Sequence, residues 1–316
     1  MTEVLLARRK AAVLAPSQLA CLAKIPTVNL TAGCAHNCVY CYARSYSQNP
    51  GRGRITLYAN TLEMLRAELP RKRKRPPAVY FSPSSDAFQP VPQVLELTYK
   101  IFEFLLAQRV GVAFLTKGKI PDRHMNLLKA HAPNVHAGIG LTTRDERISR
   151  AFEPGAAPPE ARVAQIAALR QAGIDTQVRL DPILPGLTDD EETLNAVFAT
   201  LGRLDVRDVA ISTAFIRPSI ARNVRHHVHD KKLAETFLRH YNPGAKLTMH
   251  GAGTSVTMPP AATRKAIYQR VRRLAGRYGI AIKICTCKNG DLATDSCHIA
   301  GNPSGKSHEP EQRTLF

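Results

Sequence analysis

The chain has 316 residues, 44% of them hydrophobic, with 44 lysines and arginines against 25 acids. A chain of this size buries roughly three quarters of its surface on folding, so a disordered chain, a collagen-like repeat and a small disulfide scaffold are excluded. The formal net charge of +19 exceeds what solubility needs and points to a polyanionic partner.

The charge is uneven. Residues 1–80 hold 13 basic and 3 acidic residues, residues 217–283 hold 14 and 2, and the centre is near neutral. The start, Arg8-Arg9-Lys10 before an apolar run, imitates a signal peptide, but Pro16, Ser17 and Gln18 interrupt it. No run of 18 apolar residues predicts a membrane span, and a cytoplasmic location is expected.

From residue 26 onward short β-branched runs alternate with longer amphipathic ones. Strands are predicted at 27–30, 78–82, 111–116, 136–142, 176–184 and 209–213. Helices are predicted at 61–69, 91–108, after Pro121, at 159–172 with Gly173 as a stop, and at 189–204 behind acidic residues. Strands alternating with helices mean a parallel sheet, so the expected class is α/β, a partial (β/α)6 TIM-like barrel. Polar residues stand just past the strands: Cys34, Ser84-Ser85-Asp86, Lys117, Thr142-Thr143 and Asp181. In barrels that edge carries the chemistry. Beyond 216 the pattern changes to basic helices near 229–240 and 259–277 and a last strand at 280–284. The chain therefore divides into an N-terminal extension (1–25), the barrel (26–216), a basic C-terminal region (217–300) and a loose polar tail (301–316).

Seven cysteines, at 21, 34, 38, 41, 285, 287 and 297, fall in two groups near the chain ends. An odd, clustered set reads as metal sites in a reducing compartment. Cys34, Cys38 and Cys41 have the spacing C-x3-C-x2-C. Three thiolates there can hold three irons of a cubane cluster and leave the fourth open, or, with His36, a tetrahedral zinc. Cys285, Cys287 and Cys297 follow an apolar strand in a loop rich in Gly and Asp, next to His298. The C-x-C pair is tight for zinc, so a second iron–sulfur cluster is the expectation, able to exchange an electron with the first or to bind substrate. Two basic stretches, residues 71–75 and the set Arg264, Lys265, Arg270, Arg272, Arg273 and Arg277, suit nucleic-acid phosphates. With 6% aromatics and no tryptophan, backbone contact to a duplex or structured RNA fits better than base stacking.

The first cysteine loop resembles that of the radical S-adenosylmethionine (radical SAM) superfamily. Residues 24–216 resemble its spore photoproduct lyase-like branch (DNA repair photolyase-like) through Asn29, the Cys-x-His-x-Cys-x-Tyr-Cys-Tyr core, Ser85-Asp86, Thr116-Lys117, Thr142-Thr143 and Phe152-Glu153-Pro154-Gly155. The resemblance implies a [4Fe–4S] cluster on Cys34, Cys38 and Cys41 with S-adenosylmethionine on its open iron. It further implies reductive cleavage to a 5′-deoxyadenosyl radical and an electron donor such as flavodoxin or ferredoxin. Ser85, Asp86 and Lys117 would hold the methionine amino and carboxylate ends, and Thr142 or Thr143 would touch ribose or carboxylate. Tyr40 would flank adenine, and Tyr42 matches a tyrosine of the lyases' hydrogen relay. One departure stands out. Where those lyases carry a hydrogen-donating cysteine before the Ser-Asp pair, this chain has Pro83-Ser84, so efficient repair of a spore photoproduct is not expected. The expected function is a radical SAM enzyme acting on nucleic acid. The rivals are a radical enzyme for a peptide or small molecule with an auxiliary cluster, and a non-catalytic, metal-stabilised nucleic-acid-binding protein.

Overall fold

The computed structural model describes residues 2–17, 20–22, 25–248, 255–292, 299 and 301. Its strands are β1 (Glu3–Ala7), β2 (Thr27–Val28), β3 (Thr31–Ala32), β4 (Arg54–Tyr58), β5 (Ala78–Phe81), β6 (Gly111–Thr116), β7 (Val135–Gly140), β8 (Asp175–Ile183), β9 (Asp208–Thr213), β10 (Ala245–Thr248), β11 (Ser255–Met258) and β12 (Ala281–Ile284). Its helices are α1 (Thr61–Glu68), α2 (Pro92–Ala107), α3 (Asp122–Ala130), α4 (Glu146–Phe152), α5 (Pro159–Gln171), α6 (Glu191–Arg203), α7 (Pro218–His227), α8 (Lys231–Leu238) and α9 (Ala261–Gly276). Among the described residues no helix is long and apolar enough to cross a membrane.

Seven strands form one parallel sheet in the order β12-β9-β8-β7-β6-β5-β2. This is the expected partial barrel with one strand added. The addition comes from the C-terminal region: Ala281–Ile284 pairs with β9 in register from Asp208 to Ile211. An open edge on β9 would expose unpaired backbone groups, and β12 covers it. The C-terminal region is thus part of the sheet.

Successive residues of a strand point to opposite faces, and here the two faces differ in kind. Val79 and Phe81, Val112 and Phe114, Ala137 and Ile139, Val178 and Leu180, and Val209 and Ile211 join the main core. There they meet Phe102 and Leu105 of α2, Ile166 of α5, Phe198 of α6 and Val271 of α9. The intervening positions are Tyr80, Ala113, Gly138, Arg179, Ala210 and Ser212. Apart from Tyr80 these are small or polar side chains, which cannot fill a barrel interior as layers of branched residues do, and Tyr80 and Arg179 line a cavity there.

Several features lie outside the predicted pattern, the antiparallel pair β10–β11 among them. Strands β1, β4 and β3 form a second small sheet, in which the N-terminal extension lies parallel to β4. Arg9 anchors that extension by donating to the Asn29 carbonyl and lying 4.4 Å from the Tyr58 ring centre. The backbone N–H groups of Val13 and Leu14 donate to the Glu68 carboxylate at 2.8 and 3.0 Å. Helix α4 starts at Asp145, whose side chain accepts from the N–H groups of Arg147 and Ile148, an N-cap that offsets orphan donors. Helix α7 begins at Pro218, a residue suited to a first turn.

The basic set on α9 is not an open cationic face. Arg264 is fully buried, pairs with Asp291 through both terminal nitrogens, and donates to Asn289 Oδ1 at 3.2 Å. Arg270 donates to Asp189 Oδ2 at 3.0 Å, and Arg273 pairs with Glu191. Lys265, Arg272 and Arg277 remain exposed. Replacing Arg264 by alanine should lower the unfolding free energy by about 3 kcal/mol or more, the scale of breaking a buried pair. Urea denaturation reads this directly, and a loss of less than ~1 kcal/mol would mark it as a surface-type pair.

Candidate active site

The first cysteine loop is shaped from outside. Gly33 has φ of +78°, and a Cβ there would lie 2.9 Å from the Arg54 carbonyl oxygen, so only glycine lets the chain turn from β3 into the loop. On the far side the loop is bonded to the segment after α4. The Val39 N–H donates to the Phe152 carbonyl and the Gly155 N–H to the His36 carbonyl, both at 2.9 Å. A Cβ on Gly155 would stand 2.4 Å from the Ala35 carbonyl oxygen, so the two segments touch backbone to backbone. Asn223 of α7 donates to the Val39 carbonyl at 2.6 Å, and Arg44 Nε to the Cys38 carbonyl at 3.1 Å.

Glu153 holds this junction. Its buried carboxylate accepts from Tyr40 Oη and from Thr142 Oγ1 at 2.6 Å. Lys117 Nζ lies 3.2 Å from Oε1, and Arg162 NH2 lies 2.5 Å from Oε2. Burial alone would raise the Glu153 carboxyl, but Arg162 and then Lys117 hold it well below the usual range. Lys117 Nζ also donates to Thr142 Oγ1 and the Asp181 carbonyl, each at 3.2 Å. The anion that a cation past an apolar strand requires is therefore one of the chain's own carboxylates.

Two more buried carboxylates complete the mouth. Asp86 Oδ1 accepts from the Phe88 N–H and Thr116 Oγ1, both at 2.8 Å. Its Oδ2 accepts from the Lys117 N–H at 2.9 Å and lies 3.0 Å from His36 Nε2. Burial would raise this carboxyl, yet the neighbouring His36 ring holds it low. Asp181 takes Lys288 Nζ at 2.6 and 2.7 Å and Arg179 at 3.2 Å. Burial would again raise it, and Lys288 followed by Arg179 depresses it. Glu153 and Asp181 each face two cations, so even with Asp86 counted the four cations exceed the three carboxylates by one, a surplus suited to an anionic ligand.

These parts surround one cavity of about 510 Å³. Cys34, Cys38, Cys41, Tyr40, Tyr42, Ser85, Asp86 and Lys117 all line it, and so do Cys285 and Cys287. Thr142 stands behind Lys117, while Thr143 Oγ1 accepts from the Asp145 N–H at 3.0 Å, as a turn former does. Tyr42 lines the wall with its hydroxyl donating to the Pro83 carbonyl. Cys297 and His298 lie outside the described residues. Sequence reasoning left Glu153 without a role, and missed Arg162, Arg179, Lys288 and Cys21 as site-forming residues. An apolar strand turning polar was the one signal for Arg179; the others reach the mouth only through the fold.

The donor set fits an iron–sulfur cube better than a single ion. Burial pushes the Cys38 thiol up to about 12, with Glu153 adding to the effect, so a thiolate there needs a cation bound to it. His36, the fourth ligand a zinc site would need, has Nδ1 2.9 Å from the Gly155 carbonyl oxygen and Nε2 against Asp86. A cube takes its thiolates on separate irons.

Residues 28–197 match the family model of the Radical SAM superfamily. An uncharacterized protein of Mycobacterium bovis is 31% identical over 202 residues, covering 61% of this chain, which spans 59% of that protein's length. A protein of Pseudomonas phage M6 named as a Radical SAM Nalpha-GlyT isomerase is 29% identical over 50% of this chain and 33% of its own. A mutant of spore photoproduct lyase superposes with a TM-score of 0.67 over 89% of this chain and 82% of its own, at 16% identity. Another mutant, with bound AdoMet and dinucleoside spore photoproduct, gives 0.66 over 88% and 81%, at 15% identity. At such identities the likeness is one of fold.

Replacing Glu153 by glutamine leaves Lys117 and Arg162 without their buried anion. Stability near neutral pH should drop by about 3–5 kcal/mol. Because the folded carboxyl titrates below its unfolded value, its contribution is complete above the ordinary glutamate range and fades as pH falls. The gap between variant and wild type should therefore narrow in acid, as denaturant titrations at several pH values would show. A gap independent of pH would mean the charge is not what matters.

Proposed function

Because the chain belongs to the radical SAM superfamily, we propose that it is an enzyme that cleaves S-adenosylmethionine reductively and acts on nucleic acid. The observation that carries the first half is the meeting of Cys34, Cys38 and Cys41 with Ser85, Lys117 and Asp181 around one cavity. When bound on these cysteines, a [4Fe–4S] cluster supplies the electron for that cleavage and an open iron for the methionine end. The chain's own residues orient the ligand. Ser85 Oγ is buried without a partner among the described residues, and it is the hydrogen-bonding group for the amino or carboxylate end. Lys117 brings positive charge to the carboxylate. Asp86 has both oxygens engaged within the protein, so we assign it a positioning role, holding the Lys117 backbone and His36. The hydroxyl of Tyr40 is bound to Glu153, which fixes its ring on the cavity wall as a platform for adenine. Thr142 steadies Lys117, and Thr143 shapes the turn.

The fold neighbour that carries a dinucleoside spore photoproduct supports a nucleic-acid substrate, as does the charge of +19. Family membership leaves the non-catalytic reading without support. The contact surface we favour differs from the one the sequence suggested. Residues 71–75 precede β5, and Arg75 donates to the Gln108 carbonyl just before β6; both places are at the N-terminal edge of the sheet, away from the cavity. Cations also stand at the mouth. Arg44 and Arg217 line the cavity. Burial lowers the His227 ring on α7, and the nearby Arg52 and Arg44 lower it further.

Two measurements test these halves separately. Alanine at any one of Cys34, Cys38 or Cys41 should abolish 5′-deoxyadenosine formation by the reduced, reconstituted protein, and undiminished cleavage by the triple variant would overturn the assignment. For the substrate, duplex DNA and structured RNA should bind at ~50 mM salt and release steeply as salt rises. Replacing Arg52 and Arg217 by glutamine should flatten the salt slope by about one unit per lost phosphate contact. Neutralising residues 71–75 should change it less. Absence of binding to both nucleic acids would remove the polyanion reading.

A further inference from the structure

We propose that Cys21, Cys285 and Cys287 form a second metal–sulfur centre, an iron–sulfur cluster seated in the lumen of the half-barrel. Cys21 belongs by sequence to the N-terminal extension and stands nearer the first cysteine loop. The fold takes it elsewhere. Cys285 is buried against Ala210 of β9, and Cys21, Cys287 and Ile299 pack on that same pair. Cys21 also packs on the group that joins Leu22 and Ile25 to Tyr80 and Ala113, inward-facing residues of β5 and β6. Cysteines from opposite ends of the chain therefore gather on one patch of the lumen, and all three line the cavity that the first cysteine loop lines.

The loop that presents Cys285 and Cys287 is rigidly built. The Cys285 N–H donates to the Ile211 carbonyl at 2.9 Å, continuing the β12 ladder past its end. Its own carbonyl accepts from the Lys288 N–H at 3.2 Å and from Asn289 Nδ2 at 3.0 Å. Asn289 is fully buried. Its Oδ1 accepts from Tyr268 Oη at 2.7 Å and from Arg264 at 3.2 Å, while Nδ2 also lies 3.2 Å from Ser212 Oγ. Outer partners that fix a ligand loop in this way are characteristic of metal sites, whereas a thiol that only packs needs none of them. Lys288, one residue after Cys287, is half-buried and held by Asp181, which fixes the far end of the loop. A single zinc ion is disfavoured because the C-x-C spacing of Cys285 and Cys287 is tight for a tetrahedral site.

None of the three ligands is shared with the proposed S-adenosylmethionine site, so the two readings can fail independently. The experiment is iron and acid-labile sulfide counting on the full chain after anaerobic reconstitution. It compares wild type, the Cys34/Cys38/Cys41→Ala triple variant, and that triple variant carrying Cys21→Ala or Cys21→Ser. Far-UV circular dichroism and thermal melting confirm that each is folded. The triple variant should retain about half of the wild-type iron, and either change at Cys21 should remove most of what remains, with the sulfide-to-iron charge-transfer absorption. Cys285→Ala in the same background should do likewise. A folded triple variant without iron would overturn the second centre, and so would full retention of iron by both folded Cys21 variants. A triple variant that keeps all wild-type iron would instead overturn the first cysteine loop as a cluster site and leave the second standing.

Discussion

The structure turns on one buried carboxylate. Glu153 joins the cysteine loop through Tyr40, the sheet through Lys117 and Thr142, and α5 through Arg162. A lone carboxylate in that position would cost several kcal/mol in desolvation. At an effective dielectric near 20 each close cation contributes about 4 kcal/mol before its own desolvation is counted, so both cations and the Tyr40 and Thr142 hydroxyls are needed to offset the cost. The arrangement makes the cysteine loop dependent on the centre of the sheet. The loop cannot keep its shape unless β6, β7 and α5 are already packed, because each supplies one partner of the same carboxylate.

A second constraint comes from the alternation along the strands. Apolar residues face the helices, and the inward positions are small or polar, as Ala113, Gly138, Arg179 and Ser212 show. A lumen with that lining cannot close as a hydrophobic core. It is left for ligands and for the two chain ends, which bring Cys21 and the 285–289 loop inside. The covering of β9 by β12 and the anchoring of Asn289 by Arg264 are parts of one arrangement that brings the C-terminal cysteines to the mouth.

Charge is distributed by function more than by run length. Much of the surplus that looks continuous in the sequence is neutralised locally, with Arg264, Arg270 and Arg273 each meeting an acid from another element. The most concentrated run, residues 71–75, sits at the edge of the sheet opposite the cavity. At the mouth the surplus is smaller but better placed, because Lys117, Arg162, Arg179 and Lys288 outnumber Glu153, Asp86 and Asp181 by one. Field at a low-dielectric mouth acts on a ligand more strongly than the same charge on a solvated surface.

The sequence by itself determined the features that are local. The order of strands and helices, the C-x3-C-x2-C loop after a strand, and the polar residues at the strand ends were all legible, because spacing and periodicity act within a few residues. So was the presence of a second cysteine group. Element ends moved by one or two residues, as at Thr27–Val28 and at Glu191–Arg203, where the Asp190 cap rather than periodicity sets the start. What only the tertiary structure decided was every pairing between distant segments. An arginine on α9 reads the same whether it faces water or, like Arg264, a buried asparagine. Glu153 looks like a helix-end acid until Lys117 and Arg162 arrive beside it. Cys21 looks like a stray thiol until β9 and β12 bring Cys285 to it. Burial and long-range contact depend on how the sheet closes, and no window of local sequence contains that information.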